Sequence, residues 1–86
     1  MKFVNWDKQV YDEFCREAVL KPREQDVMRL HVYTDFTCEH IGDELGYSAE
    51  TVKRDIKNCK KKYRNIAKRN QILRDAIYRK DIIENL

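Results

Sequence analysis

Apolar residues recur at helical spacing along most of the chain. Trp6, Val10, Phe14 and Ala18 follow one another every four residues, with Tyr11 and Cys15 beside them. That stripe predicts a first helix over Trp6 to Val19, capped by Asn5 or Asp7, with Phe3 and Val4 lying against it. Pro22 is a favoured first helical position, and Glu24 and Asp26 suit the positive end of a helix dipole. Val27, Met28, Leu30 and His31 mark the buried side of this second helix, which runs to Tyr33 or Thr34. Thr37 suits the cap of a third, short helix from Cys38 to Leu45, with Ile41 and Leu45 facing inward. Gly42 lies inside it, at about 1 kcal/mol of helix propensity relative to alanine, so close approach of the neighbouring helix is its expected purpose. Gly46 stops the helix as a left-handed cap, Tyr47 enters the turn, and Ser48 caps the next helix.

In that fourth helix Val52, Ile56, Cys59 and Tyr63 form one apolar stripe. At about 100° per residue the opposite face holds Glu50, Lys53, Arg54, Lys57, Lys61 and Arg64. A short helix, a tight turn containing glycine and a basic helix form the pattern of a helix-turn-helix that reads DNA. Ala49, Glu50, Lys53, Arg54 and Lys57 occupy the first turns, the part that enters the major groove in this motif. Lys and Arg bond guanine edges, and Glu50 is suited to accept from cytosine. Lys60, Lys61, Lys62 and Arg64 follow where backbone contact is expected.

Composition agrees with an all-α chain. There are two Gly and one Pro among 86 residues, and no alternating β-branched run reaches strand length. The expected architecture is a helix-turn-helix bundle of four to five helices with a long or broken C-terminal helix. It would be a single domain over residues 1–86, with the helix-turn-helix core at 20–63 and the C-terminal helix at 66–86. The net charge of +3 conceals an asymmetry. Met1 to Glu50 carries 6 Lys+Arg against 11 Asp+Glu, a net −5, and Thr51 to Leu86 carries 12 against 4, a net +8. Charge segregated in this way predicts attraction of the C-terminal half to polyanions.

Candidate chemistry is sparse. Cys15, Cys38 and Cys59 are an odd set without close pairing, and neither a secretory segment nor a membrane span is visible, so a cytoplasmic protein that does not enter membranes is expected. Cys38 and His40 lack a second ligand pair at zinc spacing, and Cys59 falls on the apolar stripe, so no metal and no cofactor is expected. His31 has no nucleophile or acid partner at a recognisable spacing. Without a phosphate loop, a metal constellation or a supported acid/base pair, an enzyme is not expected.

The run Leu20-Lys21-Pro22-Arg23-Glu24, then Val27, Leu30, Thr37, Ile41, Leu45, Ser48, Thr51-Val52-Lys53 and Ile56, resembles region 4 of bacterial sigma factors. It is nearly as similar to the DNA-binding domain of LuxR-type regulators. The sigma form aligns without a gap from Leu20 to Tyr63, about half of the chain, whereas the LuxR form has a connection one residue shorter before Thr37. The resemblance implies that the Ser48-capped helix is the recognition helix and, from LuxR-type domains, that Lys53, Arg54 and Lys57 contact bases. Thr37, at a helix N-terminus, would lie near a phosphate, with Ser48, Thr51, Lys60, Lys61 and Arg64 also on the backbone. This chain departs from the pattern at Gly42, where alanine is usual, and at His40, where an acid is usual. It departs again at Arg64-Asn65, where LuxR-type domains carry a glycine-hydrophobic pair. Nothing resembles sigma region 2, a receiver domain or a ligand-sensing domain. Short stand-alone chains of this make-up resemble regulators of phages and mobile elements.

From Ser48 to Leu86 there is no Gly or Pro, and the apolar stripe continues as Ile56, Cys59, Tyr63, Ile66, Asn70, Leu73 and Ile77. This can be read as one long helix in a parallel coiled coil with Asn70 at an a position. Arg69 and Arg74 would then meet across the pair, which disfavours it. The simpler expectation is a break near Asn65 and a separate helix from about Lys68 to Glu84. Its Ile72, Leu73, Ala76, Ile77 and Ile83 would pack on the first helix or on a second copy. A homodimer through Ile66, Leu73 and Ile77 is expected, since two recognition helices read two half-sites. The functional expectation is a sequence-specific regulator of transcription that binds double-stranded DNA. Its rival is a sigma-like adaptor or protein-interaction module that contacts RNA polymerase or another protein.

Overall fold

Five α-helices and no strand occupy the residues described by the computed structural model, 4–77. They are α1 (Lys8–Ala18), α2 (Pro22–Tyr33), α3 (Cys38–Leu45), α4 (Ala49–Ala67) and α5 (Gln71–Asp75). The all-α class is as expected. The chain divides into two units: one is Leu20–Lys60, and the other combines the chain on either side of it, described at residues 4–19 and 61–77. Helix α4 contributes residues to both.

In the Leu20–Lys60 unit, α2 begins with Pro22 at its first position, and the Glu24 carboxylate accepts from the Lys21 amide at 3.1 Å. Glu24 thus satisfies an orphan donor at the helix start. Helix α2 ends at Tyr33, where the Thr34 hydroxyl bonds the Leu30 carbonyl at 2.5 Å and accepts from the Phe36 amide at 3.1 Å. Val27, Ile41, Val52 and Ile56 form the buried cluster that joins α2, α3 and α4, with Leu30, Phe36, Cys38 and Leu45 packed against it. The apolar spacing along each helix therefore becomes a three-helix core.

In the other unit, α1 starts two residues later than the stripe implied. Asp7 is the cap, its carboxylate accepting from the Val10 amide at 2.8 Å. Trp6 lies before the cap and packs edge-on against Tyr11 at 6.2 Å, a hydrophobic staple that fixes chain entry. Trp6, Phe14 and Tyr63 form an aromatic cluster with centroids 5.3–5.7 Å apart. The Tyr63 hydroxyl donates to the Leu73 carbonyl at 2.6 Å, and Asn5 donates to the Ala76 carbonyl at 2.8 Å beside an isolated Val4–Ile77 bridge. Burial pushes the Tyr63 phenol well above its usual value, with the Asp7 charge adding to the effect.

Helix α4 ends at Ala67, one turn beyond Tyr63 and two residues beyond the expected break at Asn65. No glycine or proline is needed to stop it. Arg74 bonds the Ala67 and Lys68 carbonyls at 3.1 and 2.7 Å, satisfying acceptors that the helix leaves open. Asn70 then caps α5, accepting from the Leu73 amide at 3.2 Å, while its amide donates to Glu13 at 2.7 Å and Glu17 at 3.3 Å in α1. Asn70 is therefore not a coiled-coil a residue, and Arg74 is spent on carbonyls of its own chain. The expected helix from Lys68 to Glu84 is corrected to the short Gln71–Asp75 over the described residues; Phe3, Ile83 and Glu84 lie outside them.

Ile66, Leu73 and Ile77, expected at a dimer interface, are 4%, 0% and 5% exposed in a single chain. They are buried within the single chain, as are Val4, Val10, Phe14 and Tyr63.

Candidate nucleic-acid interface

Thr37 opens α3, its hydroxyl oxygen accepting from the His40 amide at 3.1 Å. Helix α3 ends at Gly46, which adopts φ 81°, a left-handed conformation that glycine takes without steric cost. The amides of Gly46 and Tyr47 both donate to the Gly42 carbonyl, at 2.7 and 2.8 Å. Ser48 then caps α4: its carbonyl accepts from Val52, and its hydroxyl accepts from the Thr51 amide at 3.2 Å and donates to the Thr51 hydroxyl at 3.0 Å. The turn between α3 and α4 is thus three residues long, with each end fixed by hydrogen bonds.

Gly42 has a sharper purpose than helix–helix approach. A Cβ there would overlap the Tyr47 carbonyl oxygen and lie 3.3 Å from the Tyr47 carbonyl carbon and 3.4 Å from that of Ser48. The neighbour that requires glycine is the backbone of the turn, folded back over α3.

Val52, Ile56 and Cys59 face the core from α4, and Glu50, Lys53, Arg54 and Lys57 are exposed, as their spacing implied. Among the described residues, no hydrogen bond or ion pair engages Lys53, Arg54, Lys57 or Lys61. Among the described residues their charges have no acidic counter-ion. Thr37, Ser48 and Lys61 are also exposed, and Thr51, Lys60 and Arg64 are half-buried.

One charged pair was not anticipated from the sequence. Asp55 lies on the edge of the apolar stripe and is 2% exposed. Arg23, at the second position of α2, grips it in a bidentate pair, Nε to Oδ2 at 2.8 Å and Nη2 to Oδ1 at 2.9 Å. The guanidinium carbon also lies 5.9 Å from the centre of the Tyr47 ring in the turn. Hydrogen bonding to Asp55, reinforced by its charge, pushes Arg23 still further above its usual value. An acid three residues after Val52 and four before Cys59 was the available sign that an ion pair lay within the stripe.

His40 stacks on Phe36 at 3.6 Å and approaches Glu44 at 3.6 Å, and His31 is half-buried. Among the described residues, no group of three His, Cys, Asp or Glu side chains could hold a metal ion, and no helix is long and apolar enough to cross a membrane.

Comparison with known proteins gives one family. The model of sigma-70 region 4 matches residues 18–65, more than half of the 86-residue chain. No curated protein and no solved structure matches the chain significantly. The matched span contains the Pro22 helix start, the Gly46 turn and the Ser48-capped basic helix described above. A helix-turn-helix so constructed, matched over that span, places this chain in the sigma-70 region 4 family, a non-catalytic DNA-binding domain of transcription.

Proposed function

We propose that the chain binds double-stranded DNA in a sequence-specific manner and regulates transcription, inserting the first turns of α4 into the major groove. Lys53, Arg54 and Lys57 read base edges, with Glu50 discriminating against bases that offer no donor. Thr37, Ser48, Thr51, Lys60, Lys61 and Arg64 contact the backbone. The Thr37 hydroxyl accepts from a helix amide as a cap, and donation of its proton to a phosphate oxygen is compatible with that role, whereas Ser48 would have to turn its proton away from the Thr51 hydroxyl to do the same.

The observation that carries this reading is the exposed charge of Lys53, Arg54, Lys57 and Lys61, which has no acidic partner among the described residues. Elsewhere Arg16, Arg23 and Arg29 each have an acidic partner, while Lys68 and Arg69 are exposed without an ion pair among the described residues, so it is the clustering of four such cations on one helix face that sets α4 apart. The cations of the exposed α4 face therefore remain available for phosphates and guanines. Selection of bound sequences from a random duplex pool tests the proposal. Enrichment of a short motif is expected; a pool that stays random after repeated rounds removes the sequence-specific reading.

A further inference from the structure

We infer that the Arg23–Asp55 pair is a positioning device that sets the rotation of α4 about its own axis, and that it thereby governs discrimination between DNA sequences more than affinity for DNA. The inference rests on the reading of α4 as the recognition helix. Arg23 belongs to α2 and Asp55 to the second turn of α4, between the base-reading Arg54 and Lys57 in sequence. Their two parallel hydrogen bonds, 2.8 and 2.9 Å, fix both distance and angle. Tyr47, in the turn leading into α4, lies under the same guanidinium. One side chain of α2 therefore references both the turn and the recognition helix.

The apolar contacts cannot provide this reference alone. Val27, Ile41, Val52 and Ile56 hold α4 by non-directional packing, which specifies closeness better than angle. At the helix surface, ~6 Å from the axis, a rotation of ~20° moves a side chain by ~2 Å. Hydrogen bonds to base edges are confined to a range of about 0.5 Å, so such a rotation removes them. Contacts to phosphates from flexible lysines tolerate it, because the ammonium acts as a point charge on a long stem. Rotation should therefore weaken specific binding and spare non-specific binding.

A buried ion pair is also a poor choice for stability alone. Desolvation of the carboxylate offsets much of the attraction, and apolar residues of similar volume serve as well or better. Asp55 is 2% exposed and Arg23 43%, so the pair carries that desolvation chiefly on the Asp55 side.

The test uses the full 86-residue chain and the duplex selected by the wild type, alongside a shuffled duplex of equal composition. Arg23→Gln removes a cation and Asp55→Asn removes an anion. A purely electrostatic role predicts opposite changes, with non-specific affinity falling for the first and rising for the second. A positioning role predicts that the ratio of specific to shuffled affinity falls in both, by about tenfold or more, the value of one lost bidentate base contact. Far-UV circular dichroism identifies the folded variants. The double variant Arg23→Met, Asp55→Leu keeps an apolar contact without directional bonds and carries the test should either single variant not fold. It too should lose discrimination while remaining folded. A folded variant that retains the wild-type ratio overturns the inference. Failure of the wild type to select any sequence overturns the DNA reading itself, which is a different result.

Discussion

Replacing Gly42 by alanine sets two effects against each other. Inside a helix the change gains up to about 1 kcal/mol of propensity. Here the added Cβ would overlap the Tyr47 carbonyl oxygen, with the carbonyl carbons of Tyr47 and Ser48 at 3.3 and 3.4 Å. The obstacle is backbone, so no rotamer change relieves it. The turn is also held to Gly42 by the two amides that its carbonyl accepts, at 2.7 and 2.8 Å. Moving the turn away costs about 1–3 kcal/mol in overpacking and strain, plus about 1 kcal/mol for a weakened hydrogen bond. The net expectation is a loss of about 1–3 kcal/mol, read as a lower urea midpoint with an unchanged slope. Gly46→Ala is the control. Nothing lies within 4 Å of its added Cβ, and only the left-handed backbone at φ 81° opposes it, for about 1 kcal/mol. A Gly42→Ala protein as stable as the wild type, or more stable, would refute the argument that the turn's backbone demands glycine.

Tyr63→Phe should cost about 1–2 kcal/mol, because the buried Leu73 carbonyl loses its donor; chemical denaturation measures it. Since the folded state raises the phenol pKa, this contribution is complete below the unfolded value near 10 and fades as pH rises above it, so the gap between the two proteins should narrow there. Asn70→Ala should lose about 1 kcal/mol through the α5 cap. Hydrogen bonds from Arg16 and then Asn70 hold the Glu13 carboxyl below its usual value. That contribution is present above the ordinary carboxylate pKa and lost as pH falls through the lowered one, so Asn70→Ala should show a shallower acid limb in a pH series. Val19, 80% exposed and left-handed at φ 50°, carries strain that a β-branched residue does not relieve, so Val19→Gly should raise the thermal midpoint, by about 0.5–1 kcal/mol of stability.

Much of the helix-turn-helix was legible because its signals are local. The Pro22 start, Cys38–Leu45, the Gly46 cap and the Ser48 cap each depend on residues within a few positions of one another. The polar face of α4 followed from helical period alone. The misses involve distant partners. Arg23 and Asp55 are 32 residues apart, and Asn70 and Glu13 are 57 apart. Periodicity carried the stripe through Asn70, but it does not distinguish an asparagine that faces a second helix from one that caps a helix. The end of α4 was misplaced because Arg74, seven residues downstream, supplies what glycine or proline usually signals. The direction of the Gly42 contact was missed because the turn's path back over α3 is a tertiary feature.

The most direct test of the DNA-reading face is the affinity of Lys53→Ala for the selected duplex and for all its single-base variants. A loss of about 1–3 kcal/mol on the selected duplex, with preference relaxed at one base pair, is the expected result. Lys61→Ala, measured alongside, should weaken all duplexes alike and reduce the salt slope by about one unit. Affinity unchanged by Lys53→Ala on every duplex would contradict the assignment of this α4 face to base recognition.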